Sequence, residues 1–116
     1  MIEHMDRYAD ALKRIKKFND DRDWSQFHDS KNLALSLNLE ASEVLELFQW
    51  TQNNQLKKGK EEQLGEELAD VFYWCLLLAS KHDINLFDAL ENKMQHNEDK
   101  YPIESSKGDS RKYNEK

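Results

Sequence analysis

Residues 40–43, Glu40-Ala41-Ser42-Glu43, and residues 67–70, Glu67-Leu68-Ala69-Asp70, are the stretches whose reading decides the fold. Each lies inside a long run with helical apolar periodicity, and 23 residues separate Glu43 from Glu67. Positions three apart on a helix lie about 60° apart around its axis, so each acidic pair projects from one side. If the two helices pack antiparallel, four carboxylates converge on one small volume. Uncompensated, they would repel and raise one another's pKa values. A hard divalent cation resolves that conflict, and Mg²⁺ takes such oxygen ligands together with phosphates. From spacing alone, a solvated acidic flank stays open as the alternative, because the chain holds 23 acidic residues.

Angular position separates these acids from their neighbours. At about 100° per residue, Ala34, Leu37, Ala41, Val44, Leu45 and Phe48 share one broad face, which reads as core. Glu40 and Glu43 fall on its flank, on a stripe with Leu47 and Trp50, while Glu46 points away. In the second run Leu64, Leu68, Val71, Phe72, Cys75 and Ala79 read as core. Glu67 and Asp70 flank them on a stripe with Trp74, and Glu66 points outward. Each carboxylate pair is thus followed by a tryptophan on its own side of the helix.

Length and composition bound the rest. The 116 residues read as one domain with a modest core, and three glycines and one proline favour long helices over a turn-rich β fold. A net charge of −6 without a basic stripe argues against binding polymeric nucleic acid. An acidic chain that handles phosphates needs a metal to reverse the local sign. The single cysteine, Cys75, lies on an apolar face and reads as core. No window resembles a signal peptide or a membrane span, so a soluble, cytoplasmic protein without a membrane partner is expected.

Taken in order, residues 2–19 read as an amphipathic helix on Met5, Tyr8, Leu12, Ile15 and Phe18. Polar residues 19–23 break it, and a loop with Trp24, Phe27 and His28 follows. Asp29 or Ser30 caps a second helix expected to run to Thr51. A lysine-bearing loop leads to a third helix over residues 61–81. Asn85 caps a fourth, to about Lys100, with Leu86, Leu90 and Met94 inward and Pro102 as its stop. Residues 1–102 are expected to form the domain and 103–116 a polar, mobile tail. Leu35 and Leu39 lie nearly opposite the core face of the second helix, which points to burial in a homo-oligomer.

With these residues in view, the chain resembles the MazG-like all-α nucleoside triphosphate pyrophosphohydrolases. That family carries an E-x-x-E pair, a spacer and an E-x-x-D pair, matched by Glu40, Glu43, Glu67 and Asp70. Within it the dCTP pyrophosphatase group is the closest match. Residues 22–28, Arg-Asp-Trp-Ser-Gln-Phe-His, resemble its R-D-W-x-Q-F-H signature. Residues 43–50 resemble the segment after its first acidic residue. Lys93-Met94, Asn97 and Tyr101-Pro102 match its fourth-helix ending, and residues 110–113 its tail.

The resemblance implies an all-α, compact four-helix subunit assembled into an oligomeric helical bundle, commonly a tetramer. It implies Mg²⁺ held by Glu40, Glu43, Glu67 and Asp70, with Glu43 or Glu40 accepting a proton from the attacking water. It places Trp24, His28, Trp50 and Trp74 around the base and sugar, and Lys93, Asn97 and Tyr101 at the phosphates. The implied reaction converts a deoxynucleoside triphosphate to its monophosphate and pyrophosphate, as sanitation of the nucleotide pool. Two departures bear on selectivity. Ile15 stands where the group has a substrate-contacting histidine, and Trp74 stands where it has a tyrosine, which widens the expected range from dCTP toward dATP. Two rivals differ in class. A carboxylate-bridged di-iron bundle requires Glu-x-x-His on two helices, and that pattern does not occur in the chain. A non-catalytic helical module that senses nucleotides or binds a protein is separated from an enzyme by a turnover assay.

Overall fold

The computed structural model describes residues 2–115, with side chains from residue 7 onward, so the inward position expected for Met5 lies outside the described side chains. Every element among the described residues is helical. Five α-helices occur: α1 (Ile2–Asp20), α2 (Ser30–Glu46), α3 (Glu61–Lys81), α4 (Leu86–Lys100) and the four-residue α5 (Ile103–Ser106). The count exceeds the expected four only through α5. Short 3₁₀ turns lie at Ser25–Phe27, Gln52–Asn54 and Tyr113–Glu115. None of the described helices is long and apolar enough to cross a membrane.

The chain divides into two compact units, Met1–Asp83 and Ile84–Lys116. In the first, α3 packs against both α2 and α1. The α2–α3 pair is antiparallel: Ser30 at the start of α2 meets His82 just past the end of α3, 2.9 Å apart, and mid-helix Glu40 meets Glu67. Local chemistry sets the start of α2. The Asp29 side chain accepts the Asn32 N–H at 2.8 Å, satisfying one of the first-turn donors that a helix cannot pair internally. Glu61 and Glu62 stand in the first turn of α3 and Lys81 in its last, each at the helix end whose partial charge it complements.

The inward faces differ in phase from the sequence reading. On α2 the residues shielded from solvent include Leu33, Leu37, Glu40, Val44 and Leu47, in alternating four- and three-residue steps. Leu64, Glu67, Val71, Trp74 and Leu78 follow the same rhythm on α3. Seven-residue spacing of this kind is the seam of paired helices. Leu45, expected in the core, is 67% exposed, and Leu68 and Phe72 are 50% and 47% exposed. Ala34 and Ala41 are exposed as well. Of the expected core faces Leu37, Val44, Leu64, Val71 and Ala79 are shielded, whereas Ala34, Ala41, Leu45, Leu68 and Phe72 look outward; of the expected acidic flank Glu40 and Glu67 lie on the seam, and Glu43 and Asp70 stay exposed beside it.

A second difference lies at the end of α2, which stops at Glu46 rather than Thr51. Its last turn tightens: Leu47, Phe48 and Gln49 donate to Val44, Leu45 and Glu46, three residues back. The Lys57 N–H then takes the Leu47 carbonyl at 2.9 Å, fixing the return of the loop. Trp50 consequently sits off the helix at φ 63°, a left-handed conformation that costs a bulky residue about 1–2 kcal/mol.

Described by itself, the second unit is α4 followed by short helical turns. The Asn85 side chain caps α4 by accepting the Asp88 N–H at 3.1 Å. Leu90 and Met94, expected to point inward, are exposed. Beyond Pro102, the stretch expected to be a mobile tail forms α5 and the turn at Tyr113–Glu115. Arg111 grips the Asp109 carboxylate with two nitrogens, the closer approach being 2.7 Å.

Candidate metal centre

A helix seam is an expensive place for carboxylates, because burial disfavours the charged form and no cation among the described side chains pairs with them. Glu40 and Glu67 nonetheless occupy it. The ligand oxygens of Glu40, Glu67 and Asp70 all lie within 4.8 Å of one another. Glu43 stands at the exposed edge, close enough to raise the pKa of both seam glutamates. Two carboxylates thus come from the seam and two from its rim.

Electrostatic strain shows in the protonation. Glu40 is pushed up from the ordinary 4.5 to about 7, by burial first, then by the neighbouring Glu43 carboxyl and the charges of Asp70 and Glu67. Glu67 is also raised, chiefly by the neighbouring Glu43 carboxyl, with burial adding to it. One Oε2 atom on each of Glu40 and Glu67 is buried without a hydrogen-bond partner. Buried polar atoms are seldom left so. An all-oxygen, strongly anionic donor set with unpaired buried lone pairs fits a hard divalent cation, and it does not fit a soft metal that prefers thiolate or imidazole.

A cavity of about 450 Å³ opens beside Asp70, between α1 and α3. Ala11, Arg14, Ile15, Phe18, Ala69, Phe72, Tyr73 and Leu76 form the rest of its wall. It adjoins the acidic group and is mostly apolar, with Arg14 as its cation. Ile15 belongs to this wall, so the departure from the group's histidine bears directly on the cavity's polarity.

The residues expected around a base are distributed unevenly. Trp74 lies on the seam one turn beyond Asp70 and stands edge-on to His28, ring centres 5.6 Å apart. Trp24 packs edge-on against Phe18, also at 5.6 Å, and so reaches the Asp70 cavity through that ring. His28 lines a separate cavity of about 270 Å³, with Lys16, Asn19, Asp20, Ser25, Leu33, Leu77, Ser80 and Lys81. Trp50 is 92% exposed, because α2 ends before it. Lys93, Asn97 and Tyr101 follow four-residue steps along one side of α4 in the second unit, and the Tyr101 N–H donates to the Asn97 carbonyl at its end. Tyr73 and Asn19 were not singled out by sequence, although Tyr73 lines the Asp70 cavity and bonds to Asn19. The only signal was spacing: Tyr73 lies three residues past Asp70, and Asn19 four past Ile15. Cys75 is half-buried, and burial pushes its thiol up, away from the reactive thiolate.

Comparison with known proteins places this geometry. The chain is 38% identical to dCTP pyrophosphatase 1 of Mus musculus over 109 residues, which cover 90% of this chain and 64% of that protein. With dCTP pyrophosphatase 1 of Homo sapiens the identity is 36% over 111 residues, 91% of this chain and 65% of that protein. The chain thus spans a little under two thirds of the length of these curated relatives. Among solved structures, a pyrophosphatase from Archaeoglobus fulgidus superposes with a TM-score of 0.68 at 38% identity, covering 85% of this chain and 93% of that one. The family model described as MazG-like matches residues 35–115, which include Glu40, Glu43, Glu67 and Asp70, and the chain belongs to the MazG-like family.

Proposed function

We propose that the chain is a Mg²⁺-dependent pyrophosphohydrolase that converts a deoxynucleoside triphosphate to its monophosphate and pyrophosphate. One observation carries the reading: buried, unpartnered oxygens of Glu40 and Glu67 lie beside Asp70 in a MazG-like chain. The names of the mouse and human relatives support dCTP as the first substrate to try. Ile15 in the cavity wall supplies no hydrogen bond that would choose cytosine, so dATP is the second.

Each part has a role in this proposal. Glu40, Glu43, Glu67 and Asp70 hold the Mg²⁺, whose chemistry when bound is to neutralise phosphate charge and orient it. Glu43 or Glu40 accepts the proton of the attacking water. The nucleoside lies in the α1–α3 cavity; Trp24, His28, Trp50 and Trp74 are assigned to the base and sugar by the family resemblance, and Trp24 reaches that cavity through Phe18. Lys93, Asn97 and Tyr101 are assigned to the phosphates, lysine as a point charge and the others as hydrogen-bond donors. The exposed Leu35, Leu39, Leu45, Leu68, Phe72 and Trp50 support a homo-oligomer, proposed as a tetramer. The biological role of this proposal is cytoplasmic nucleotide-pool sanitation.

The test is a panel of deoxy- and ribonucleoside triphosphates incubated with Mg²⁺ and scored for pyrophosphate. Release from dCTP, with dATP next, is expected. A chain that binds these nucleotides without releasing pyrophosphate would be a sensing module instead.

A further inference from the structure

Asn19 is the polar side chain most completely buried among the described residues, at 1% exposure, as shielded as the core residues Leu33 and Leu76. An apolar residue of the same shape would fill that space without the cost of desolvating an amide. What the amide contributes is connection. Its Nδ2 donates to the Ile15 carbonyl at 3.0 Å, and the Tyr73 hydroxyl donates to its Oδ1 at 2.9 Å. The Asn19 backbone carbonyl accepts the Trp24 N–H at 2.9 Å. One residue therefore ties the end of α1 to the middle of α3 and to the segment that carries Trp24 and His28.

The Tyr73 ring forms part of the cavity wall beside Asp70. It stands edge-on to Trp74 at 4.9 Å, and Trp74 meets His28 in the same manner. Because the hydroxyl is turned to Asn19, the wall offers its ring rather than a hydrogen-bonding group. We infer that Asn19 is a positioning residue for the nucleoside end of the site, acting through the Tyr73 hydroxyl to fix the cavity wall beside Asp70 without touching the substrate. The inference rests on the pyrophosphohydrolase reading. It makes the Tyr73 part of this wall indifferent to base identity, so the bond sets how tightly nucleosides are held and leaves the choice among them alone.

Measuring kcat and KM for dCTP and dATP on the wild type, Tyr73→Phe, Asn19→Leu and the double variant tests this, with thermal melting in the presence and absence of Mg²⁺. Tyr73→Phe is expected to raise KM about five- to tenfold, since small displacements of a positioning wall are costly. The factor should be equal for both nucleotides, with kcat and the Mg²⁺-induced rise in Tm unchanged. The double variant should be no worse than the poorer single one, because both substitutions remove one shared bond. A fall in Tm with KM unchanged would reduce Asn19 to a purely structural role and overturn the inference. So would additive effects of the two substitutions, or a KM change confined to one nucleotide, which would mean that the hydroxyl touches the base. In each of those cases the active wild type leaves the pyrophosphohydrolase reading standing. A wild type inactive on every nucleoside triphosphate removes that reading and this inference together.

Discussion

Replacing Glu40 by glutamine should stabilise the metal-free protein at neutral pH, although it removes a residue of the candidate centre. The reasoning follows from the seam. Glu40 titrates at about 7 in the folded chain against an ordinary 4.5, so the folded state holds its proton more tightly than the unfolded state does. Stability contributed by that proton is complete below about pH 4.5 and is lost as pH rises through about 7. Above that range the folded chain carries a partly buried charge facing Asp70, Glu43 and Glu67. A rise from 4.5 to about 7, reduced for the water that still reaches the rim, corresponds to roughly 1–2 kcal/mol. For a domain of this size that is about 3–8 °C in Tm. Glutamine keeps the shape and drops the charge. Melting of wild type and Glu40→Gln in a chelator, from pH 4.5 to 8, should show a variant advantage that is absent at the acid end and grows to a plateau above about pH 7. Millimolar Mg²⁺ should reverse the order, because a cation that binds the folded state stabilises it, and more so in the chain that binds it more tightly. A Glu40→Gln protein less stable than wild type at pH 8 without metal, or an advantage independent of pH, would refute the reasoning.

Other outcomes follow from the same geometry. Glu43→Gln and Asp70→Asn should abolish turnover while leaving the far-ultraviolet circular dichroism unchanged, whereas the outward Glu46→Gln and Glu66→Gln should stay within about twofold of wild type, surface changes being near neutral. Trp24→Ala should raise KM for all deoxynucleotides alike, by about 1–3 kcal/mol if base stacking is lost. His28→Ala should instead change the ratio of kcat/KM between nucleotides, because a lost hydrogen bond penalises substrates unequally. Light scattering at micromolar concentration should give a multiple of the subunit mass; a monomer would contradict the account of the exposed leucines.

Much of this architecture was legible in the residues. Asp29 and Asn85 announced helix starts through their capping chemistry, and the acidic pairs marked the helices that meet. The phase was harder. Ala34, Ala41, Leu45, Leu68 and Phe72 form a second apolar face, so the average hydrophobic direction of each helix points between two surfaces. That average moved Glu40 and Glu67 to a flank, whereas the alternating three- and four-residue steps that link Glu40 to Leu33 and Leu47, and Glu67 to Leu64 and Leu78, place them on the seam. The end of α2 was hidden for a different reason: nothing in residues 47–50 forbids a helix, and the Lys57–Leu47 bond that turns the chain is nonlocal. Asn19 read as a turn former, because its partner Tyr73 lies on another helix.

The most direct test of the central claim, that the seam carboxylates hold the cation used for pyrophosphate release, is a single product assay. dCTP is incubated with the wild type in Mg²⁺, with the wild type in chelator, and with Glu67→Gln in Mg²⁺, and both products are quantified. The account predicts equal amounts of dCMP and pyrophosphate in the first reaction and neither in the other two, with Glu67→Gln still folded. Pyrophosphate release undiminished by Glu67→Gln or by the chelator, or orthophosphate and dCDP in place of dCMP and pyrophosphate, would contradict it.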